Sequence, residues 1–105
     1  MNRVTFRDSS DGKTVTATFH LPGIPKEDVH ISFQPDRLIV TWQTVKVTES
    51  QEGDRLVRER REKNYIRTLH LPDGTRFEEV KATMDSRNLL LTYPKMRPSQ
   101  LVPIT

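Results

Sequence analysis

The chain has 105 residues, 33% of them hydrophobic and 30% charged, and 17 basic against 14 acidic residues give a net charge of +3. This length suits one domain with a modest core. The small basic excess, with no Lys/Arg run interleaved with aromatic residues, argues against a nucleic-acid-binding surface. The absence of cysteine excludes a disulfide scaffold and is compatible with a reducing compartment. No apolar run approaches the roughly 20 residues of a membrane span, so we expect a cytoplasmic protein that binds neither nucleic acid nor membrane.

Apolar and polar side chains alternate along most of the chain, which is the period of a half-buried β-strand. An opening strand is predicted at 3–7, and after the turn signal "DSSDG" the run "KTVTATFH" predicts a second strand. The alternating runs "DVHISF" and "RLIVTW" are separated by "QPD" and predict a hairpin.

Four further strand-like runs follow, at 56–60, 65–71, 80–84 and 89–93. Short strands of this kind, with turns at intervals of roughly 8–12 residues, are typical of an antiparallel sandwich. No stretch carries a convincing amphipathic helix. The predicted fold class is therefore all-β, an immunoglobulin-like antiparallel β-sandwich.

Two segments of the chain resemble each other, "TFHLPGIPKEDVHI" and "TLHLPDGTRFEEVKA". In each, a strand ends at His-Leu-Pro, because Pro22 and Pro72 cannot donate to a ladder. The acidic pairs at 27–28 and 78–79 favour a brief helical turn before the next strand. The likeness is compatible with two similar crossovers or with an internal duplication.

The segment 43–64 is long for a hairpin connection, for which 2–5 residues are usual. Its stretch "ESQEGDRLVRERREK" holds five acidic and five basic residues, yet it also carries Leu56 and Val57. A long excursion with a strand-like piece in the middle is either a mobile loop or an arm that reaches a neighbouring molecule.

Residue types suited to catalysis or metal binding are sparse. His20 and His70 occupy equivalent places in the two similar segments, but no third ligand at suitable spacing accompanies them. The acidic pairs at 27–28 and 78–79 suit a helical first turn better than an acid/base dyad. The four glycines all stand in turn contexts, so we expect no catalytic site, no metal and no cofactor.

Arg67 lies in "NYIRTLHLP" in phase with Tyr65 and Leu69. An arginine in such a row either extends its head to solvent at the rim or pairs with a carboxylate across an interface. The residues themselves leave both possibilities open.

The chain ends in "KMRPSQLVPIT", with apolar residues at 101, 102 and 104 and prolines at 98 and 103. Loose termini are usually polar and frayed. An apolar terminus therefore indicates either packing on its own domain or docking in a groove elsewhere.

These motifs together resemble the α-crystallin domain of small heat shock proteins. The resemblance rests on "ATFHLPGIPKEDVHI", "YIRTLHLP", "FEEVKATM" and "LLLTYPK" in this order, followed by an apolar-X-apolar tail. The closing signature of the family departs from the pattern, since Ala82 and Leu89 fit but Arg87 stands in the place of a glycine. Arg87 would be strained at a positive φ there, unless Asn88 shifts the turn by one residue.

The resemblance implies an α-crystallin domain at 1–95, with an exchanged strand within about 43–64, and a C-terminal extension at 96–105. It implies an ATP-independent chaperone, a holdase that binds partly unfolded proteins and suppresses their aggregation without a cofactor. The alternative is a CS-type co-chaperone or adaptor sandwich that docks on a folded partner. A plain immunoglobulin-like binding domain for sugar or peptide is a third possibility, and an enzyme is the least supported.

The resemblance also implies a dimer by reciprocal strand exchange, in which 56–60 pairs with 3–7 of a second copy, and an interface role for Arg67. The predicted dimer interface comprises Arg3, Val4, Thr5, Phe6, Arg7, Leu56, Val57, Arg58, Glu59, Arg60 and Arg67.

The tail motif Val102-Pro103-Ile104 is expected to dock in a groove at the edge of the sandwich and to link dimers into larger oligomers. The predicted groove is lined by Val29, Ile31, Val80 and Ala82. Ala82 matters because a larger side chain would close the groove.

Overall fold

The computed structural model describes residues 3–95 and Ile104. Its described part contains seven β-strands and two short 3₁₀ turns, which confirms the all-β prediction. The strands are β1 Arg3–Asp8, β2 Thr14–His20, β3 Val29–Gln34, β4 Arg37–Glu52, β5 Arg55–His70, β6 Lys81–Met84 and β7 Asn88–Pro94. The 3₁₀ turns are Lys26–Asp28 and Phe77–Glu79.

The strands form two antiparallel sheets. The four-stranded sheet has the order β1-β2-β7-β6, and the three-stranded sheet has the order β3-β4-β5. Strands β1, β6, β3 and β5 therefore lie at sheet edges, where half of their backbone groups have no neighbouring strand in the described structure.

The core lies between the sheets and takes every second residue of the inner strands. Phe19 pairs in register with Leu89, and Leu38 with Leu69. The Phe19 ring meets the Trp42 ring edge-on, with centroids 5.8 Å apart. The buried apolar set is Ala17, Phe19, Leu21, Ile24, Leu38, Val40, Trp42, Leu69, Leu71, Leu89, Leu91 and Tyr93.

The two His-Leu-Pro segments are the crossovers between the sheets, β2 to β3 and β5 to β6. Each leads into one of the predicted short helical turns. Leu21 donates its N–H to the carbonyl of Arg87 at 2.7 Å, and Leu71 donates to that of Asp36 at 2.8 Å. The sequence likeness therefore corresponds to two similar crossovers within one sandwich.

The strand-bearing segment 43–64 is a two-stranded hairpin, which we call the arm. The pieces predicted at 56–60 and 65–71 are one strand, β5, which pairs with β4 continuously from Arg37↔His70 to Glu52↔Arg55. The loop is only Gly53-Asp54, and Gly53 has a φ of +64°, as the first position of a type II′ turn requires. The arm extends the molecule to 69 × 30 × 23 Å.

The turn at Arg87 shows neither of the arrangements considered from the sequence. No non-glycine residue in the described part has a positive φ. Instead, the Asp85 side chain accepts hydrogen bonds from the backbone N–H groups of Arg87 and Asn88, at 2.8 and 2.7 Å. The carboxylate closes the turn, so no left-handed residue is needed.

Candidate interaction surfaces

Strand β1 presents an apolar side chain at an open sheet edge. Phe6 pairs in register with the fully buried Ala17, so it faces inward, yet 52% of its surface is exposed. Val4, opposite Phe19, is half-buried, whereas Arg3, Thr5 and Arg7 alternate to the outer face. An edge strand with an exposed inward-facing phenylalanine is a place where another chain can pair.

The predicted exchange segment 56–60 lies in the outer half of the arm. It pairs with 47–51 of β4, not with 3–7 of the same chain. Leu56 is 66% exposed, and Val57 is half-buried. Arg58 contacts Glu49 at 3.4 Å, and Arg60 contacts Glu62 at 2.7 Å.

Arg67 faces the core side of β5 but is exposed. Its register partner is Val40, which is completely buried, and it shares its face with the buried Leu69. It stays accessible because β5 is an edge strand, so nothing flanks it on one side. Within the described residues Arg67 forms no ion pair, and Glu59, the carboxylate suggested for it, contacts Arg61 at 3.8 Å.

The base of the arm contains an aromatic pair that sequence reasoning did not single out. Trp42 and Tyr65 are register partners whose rings stack at 5.5 Å with an interplanar angle of 11°. The Trp42 Nε1 atom is buried and has no hydrogen-bond partner among the described residues. No sequence signal marked this contact, because the register between the two strands follows from their pairing and not from the alternation within either one.

A cavity of about 260 Å³ lies beside this aromatic pair. Two of its lining residues are hydrogen-bonded, since Gln43 Nε2 donates to Asp28 Oδ1 at 3.5 Å. The cavity is lined by Asp28, His30, Thr41, Trp42, Gln43, Asn64, Tyr65 and Ile66.

The residues predicted to line the tail groove lie on the edge strands β3 and β6, except for Val80, which directly precedes β6. Val29 and Ile31 face inward opposite Trp42 and Val40, and Ile31 is still 36% exposed. On the other strand, the exposed Ala82 is opposite Leu91.

The predicted residue Val80 and several other apolar residues lie near these positions. Val80 and Met84 are half-buried and pack against the core. Phe33, on the same face of β3, meets Phe77 edge-on at 5.8 Å, and Phe77 is 71% exposed. Phe77 was missed from the sequence because it lies in a 3₁₀ turn, where alternation gives no signal.

Of the tail motif, only Ile104 is described, and Val102 and Pro103 lie outside the described residues. The Ile104 side chain is 100% exposed. Within this single chain it is therefore not docked in the groove between β3 and β6.

The titratable groups form no metal-binding cluster in the part of the chain that the structure covers. Among residues 3–95 and 104, no group of three or more His, Cys, Asp and Glu could hold a metal ion. His20 and His70 lie on different sheets, and His20 Nδ1 is 3.1 Å from Asn88 Oδ1. Burial raises the pKa of the Tyr93 hydroxyl, which is a consequence of its core position.

A hydrogen bond from the Arg37 guanidinium lowers the pKa of the neighbouring Asp36 carboxyl. This ion pair lies on the surface. Over the same described residues, no helix is long and apolar enough to cross a membrane.

Comparison with protein families gives one match that spans nearly the whole chain, the Hsp20/alpha crystallin family, over residues 8–104. The chain belongs to this family. Among curated members, heat shock protein 16 of Schizosaccharomyces pombe is 32% identical over 96 residues, which are 89% of this chain and 67% of that protein. The 17.5 kDa class I heat shock protein of Glycine max is 29% identical, with 89% and 60% covered.

Solved structures of small heat shock proteins share the fold. Heat shock protein 16.0 of Schizosaccharomyces pombe superposes with a TM-score of 0.67 at 26% identity, over 99% of this chain and 94% of that one. A small heat-shock protein of Xylella fastidiosa, described as having a distinct high order structure, gives 0.62 at 20% identity, over 100% and 94%. This Hsp20/alpha crystallin family chain spans about half to two-thirds of the length of the first curated relatives that it matches.

Proposed function

We propose that the chain is an ATP-independent holdase, which binds partly unfolded proteins and keeps them from aggregating. Family membership supports a chaperone role, and small heat shock proteins are generally not enzymes. The observation that carries the proposal is the set of open sheet edges with accessible apolar side chains, at Phe6, at Ile31 and along the arm at Leu56. Unfolding chains expose strands and apolar patches that such edges can cover.

Self-assembly is the second part of the proposal. In a dimer by reciprocal exchange, 56–60 of each arm pairs with 3–7 of the other copy. Support comes from the exposed Phe6 on β1 and from an arm that projects away from its own sandwich. Arg67 then meets a carboxylate of the incoming arm, for which Glu59 is the candidate.

The third part concerns the tail, which docks through Val102 and Ile104 in the groove of a neighbouring dimer. The fully exposed Ile104 and the accessible side chains of Ile31 and Ala82 on the edge strands β3 and β6 support it. Burial of two such side chains contributes about 1.5–3 kcal/mol each before ordering costs, so single contacts are weak and act through multivalency. A cytoplasmic location stays a prediction.

The test of holdase activity is light scattering of a heat-labile enzyme with and without an equimolar amount of this chain, in buffer free of nucleotide. We expect suppressed scattering. Full aggregation of the client in the presence of the folded chain would contradict the proposal and favour the adaptor alternative.

The matched variant for assembly lacks residues 49–62. Since Thr44 pairs with Lys63 in register, joining Thr48 to Lys63 leaves a short loop at the base of the arm and an intact sandwich. This variant is expected to be monomeric by sedimentation velocity. A stable dimer after the deletion would refute strand exchange.

A further inference from the structure

One face of the arm carries positive charge that the described structure leaves unbalanced. Residues paired in register share a face of the ribbon, and successive residues alternate. The face that continues from Trp42 and Tyr65 therefore includes Lys46, Arg61 and Lys63, and it also includes Arg67 nearer the sandwich. We call these four residues the basic face.

The opposite face of the same ribbon is balanced. There Arg58 and Arg60 are each in contact with a glutamate, Glu49 at 3.4 Å and Glu62 at 2.7 Å. On the basic face, the neighbouring stretch of both strands offers one carboxylate, Glu59, which contacts Arg61 at 3.8 Å. Within the described residues, Lys46, Lys63 and Arg67 have no ion-pair partner.

The arrangement on the basic face opposes the stability of the arm itself. Lys46 and Arg61 are direct register partners, and like charges placed directly opposite in an antiparallel pair are destabilising. Lys63 is two residues from Arg61 on β5, about 6.8 Å along the strand. An anionic partner lying on this face would convert the repulsion into attraction.

The outer edge of β5 determines the shape of that partner. Strand β5 is the last strand of its sheet, so its backbone can pair with an added extended chain. Side chains of such a chain point alternately to the two faces. Those on one side meet Arg61, Lys63 and Arg67, and those on the other meet Asn64 and Ile66, of which Ile66 is 69% exposed.

We propose that the β5 edge at 61–67 binds extended polypeptide segments in which acidic residues alternate with neutral or apolar ones. This rests on the proposed holdase function in taking the segments as parts of unfolding clients. It leaves 56–60 free for the predicted exchange with a second copy, and at Arg67 the client competes with Glu59 of that copy. The cations also disfavour other partners. An apolar strand would bury their charges without a counter-charge, and a basic strand would be repelled by them.

A polypeptide fits the surface better than a nucleic acid. Thr44 lies between the cations and Thr48 just beyond them, and Tyr65 already stacks on Trp42. Single-stranded nucleic acid is held by aromatic side chains on which its bases stack. Apart from the stacked Trp42–Tyr65 pair, the described arm offers no aromatic side chain for this. Unpaired backbone N–H and C=O groups along β5 suit a second peptide chain.

The test measures fluorescence anisotropy of a labelled peptide of alternating Glu and Thr titrated with the whole chain. Its controls are a Gln-Thr peptide and a peptide of the same Glu and Thr content with all glutamates in one block. We expect the alternating acidic peptide to bind most tightly and to lose affinity as salt is raised.

The variant Lys46→Thr with Lys63→Thr should weaken this binding about fivefold, as expected for one exposed ion pair lost at Lys63 and for the loss of the neighbouring positive charge of Lys46. The matched variant Lys13→Thr with Lys81→Thr removes equal charge elsewhere on the chain and should leave the affinity unchanged. Thermal unfolding checks that both variants fold, and loss of Lys46 relieves the repulsion with Arg61.

Three results would overturn the inference. The first is equal peptide affinity of the Lys46/Lys63 variant and the parent, whether or not the dimer is weakened. The others are equal affinity for the block and alternating peptides, and tighter binding of single-stranded oligothymidylate than of the acidic peptide. The peptide-binding assay contains no aggregating client. Its outcome can therefore be interpreted even if the chain fails to suppress aggregation in the holdase assay.

Discussion

Replacing Phe6 by alanine tests whether the β1 edge is covered in the assembled protein. Phe6 faces the interior of the sandwich from an edge strand, and 52% of its surface is exposed in the single chain. If the arm of a second copy pairs with 3–7, that exposed part becomes buried. The dimer should then depend on Phe6 more strongly than the fold of the monomer does.

The expected magnitude follows from the exposed area. A phenylalanine side chain buries about 200 Å², so roughly half of that area is left for the partner, worth about 2.5 kcal/mol at 25 cal/mol per Å². Two copies of Phe6 contribute in a symmetric dimer, which gives an upper limit of about 5 kcal/mol. Even a third of this value would raise the dimer Kd more than tenfold, since about 1.4 kcal/mol is a factor of ten.

Sedimentation equilibrium of the parent and of Phe6→Ala measures the effect, with circular dichroism to confirm folding. Phe77→Ala is the matched control, because Phe77 is 71% exposed but contacts Phe33 at the other edge of the sandwich. Its dimer Kd should equal that of the parent. A folded Phe6→Ala protein with the parental Kd, or an equal loss in both variants, would refute the reasoning.

Arg67→Ala should weaken the dimer, by roughly 3–5 kcal/mol if its ion pair is buried. An unchanged dimer would indicate that the Arg67 side chain only extends to solvent at the rim of the sandwich. Val102→Ala with Ile104→Ala should reduce the mass of any assembly larger than a dimer while the dimer persists, as measured by light scattering. Ala82→Leu fills the groove and should have the same effect; unaltered assembly would place the tail elsewhere.

Asp85→Ala should lower the unfolding temperature at neutral pH. Hydrogen bonds from Arg87 and Asn88 hold the Asp85 pKa below its ordinary value of 3.8, so its contribution is present above that pH and lost as pH falls through the lower folded pKa. A difference between parent and variant that does not shrink in acid would contradict this.

Local pattern was sufficient for the core and for most of the strands, although it did not show that 56–60 and 65–71 belong to one strand. Alternation at Phe19, Leu38 and Leu91 predicts inward-facing positions, because each strand buries one side, and all three are buried. The two short helical turns were also predictable, since proline ends each preceding strand and acidic residues suit the first turn. The resemblance in motif order indicated the family that the comparison confirms.

Contacts between residues distant in the chain could not be predicted from the sequence. The stacking of Trp42 on Tyr65 and the edge-on contact of Phe33 with Phe77 join residues whose separation carries no periodic signal. The turn at Arg87 departed from expectation because a nearby carboxylate satisfied the backbone, which removed the need for a positive φ.

By itself, then, the sequence determined which side of each predicted strand is apolar, because alternation is a local property of the pleated backbone. Only the tertiary structure decided that 43–64 is a paired ribbon and that β1, β3, β5 and β6 are left at edges. Exposure of Phe6, Ile31 and Arg67 followed from that order, because an inward-facing side chain stays accessible when no neighbouring strand covers it. Strand order depends on which distant segments pair, and alternation within a segment does not encode its neighbour.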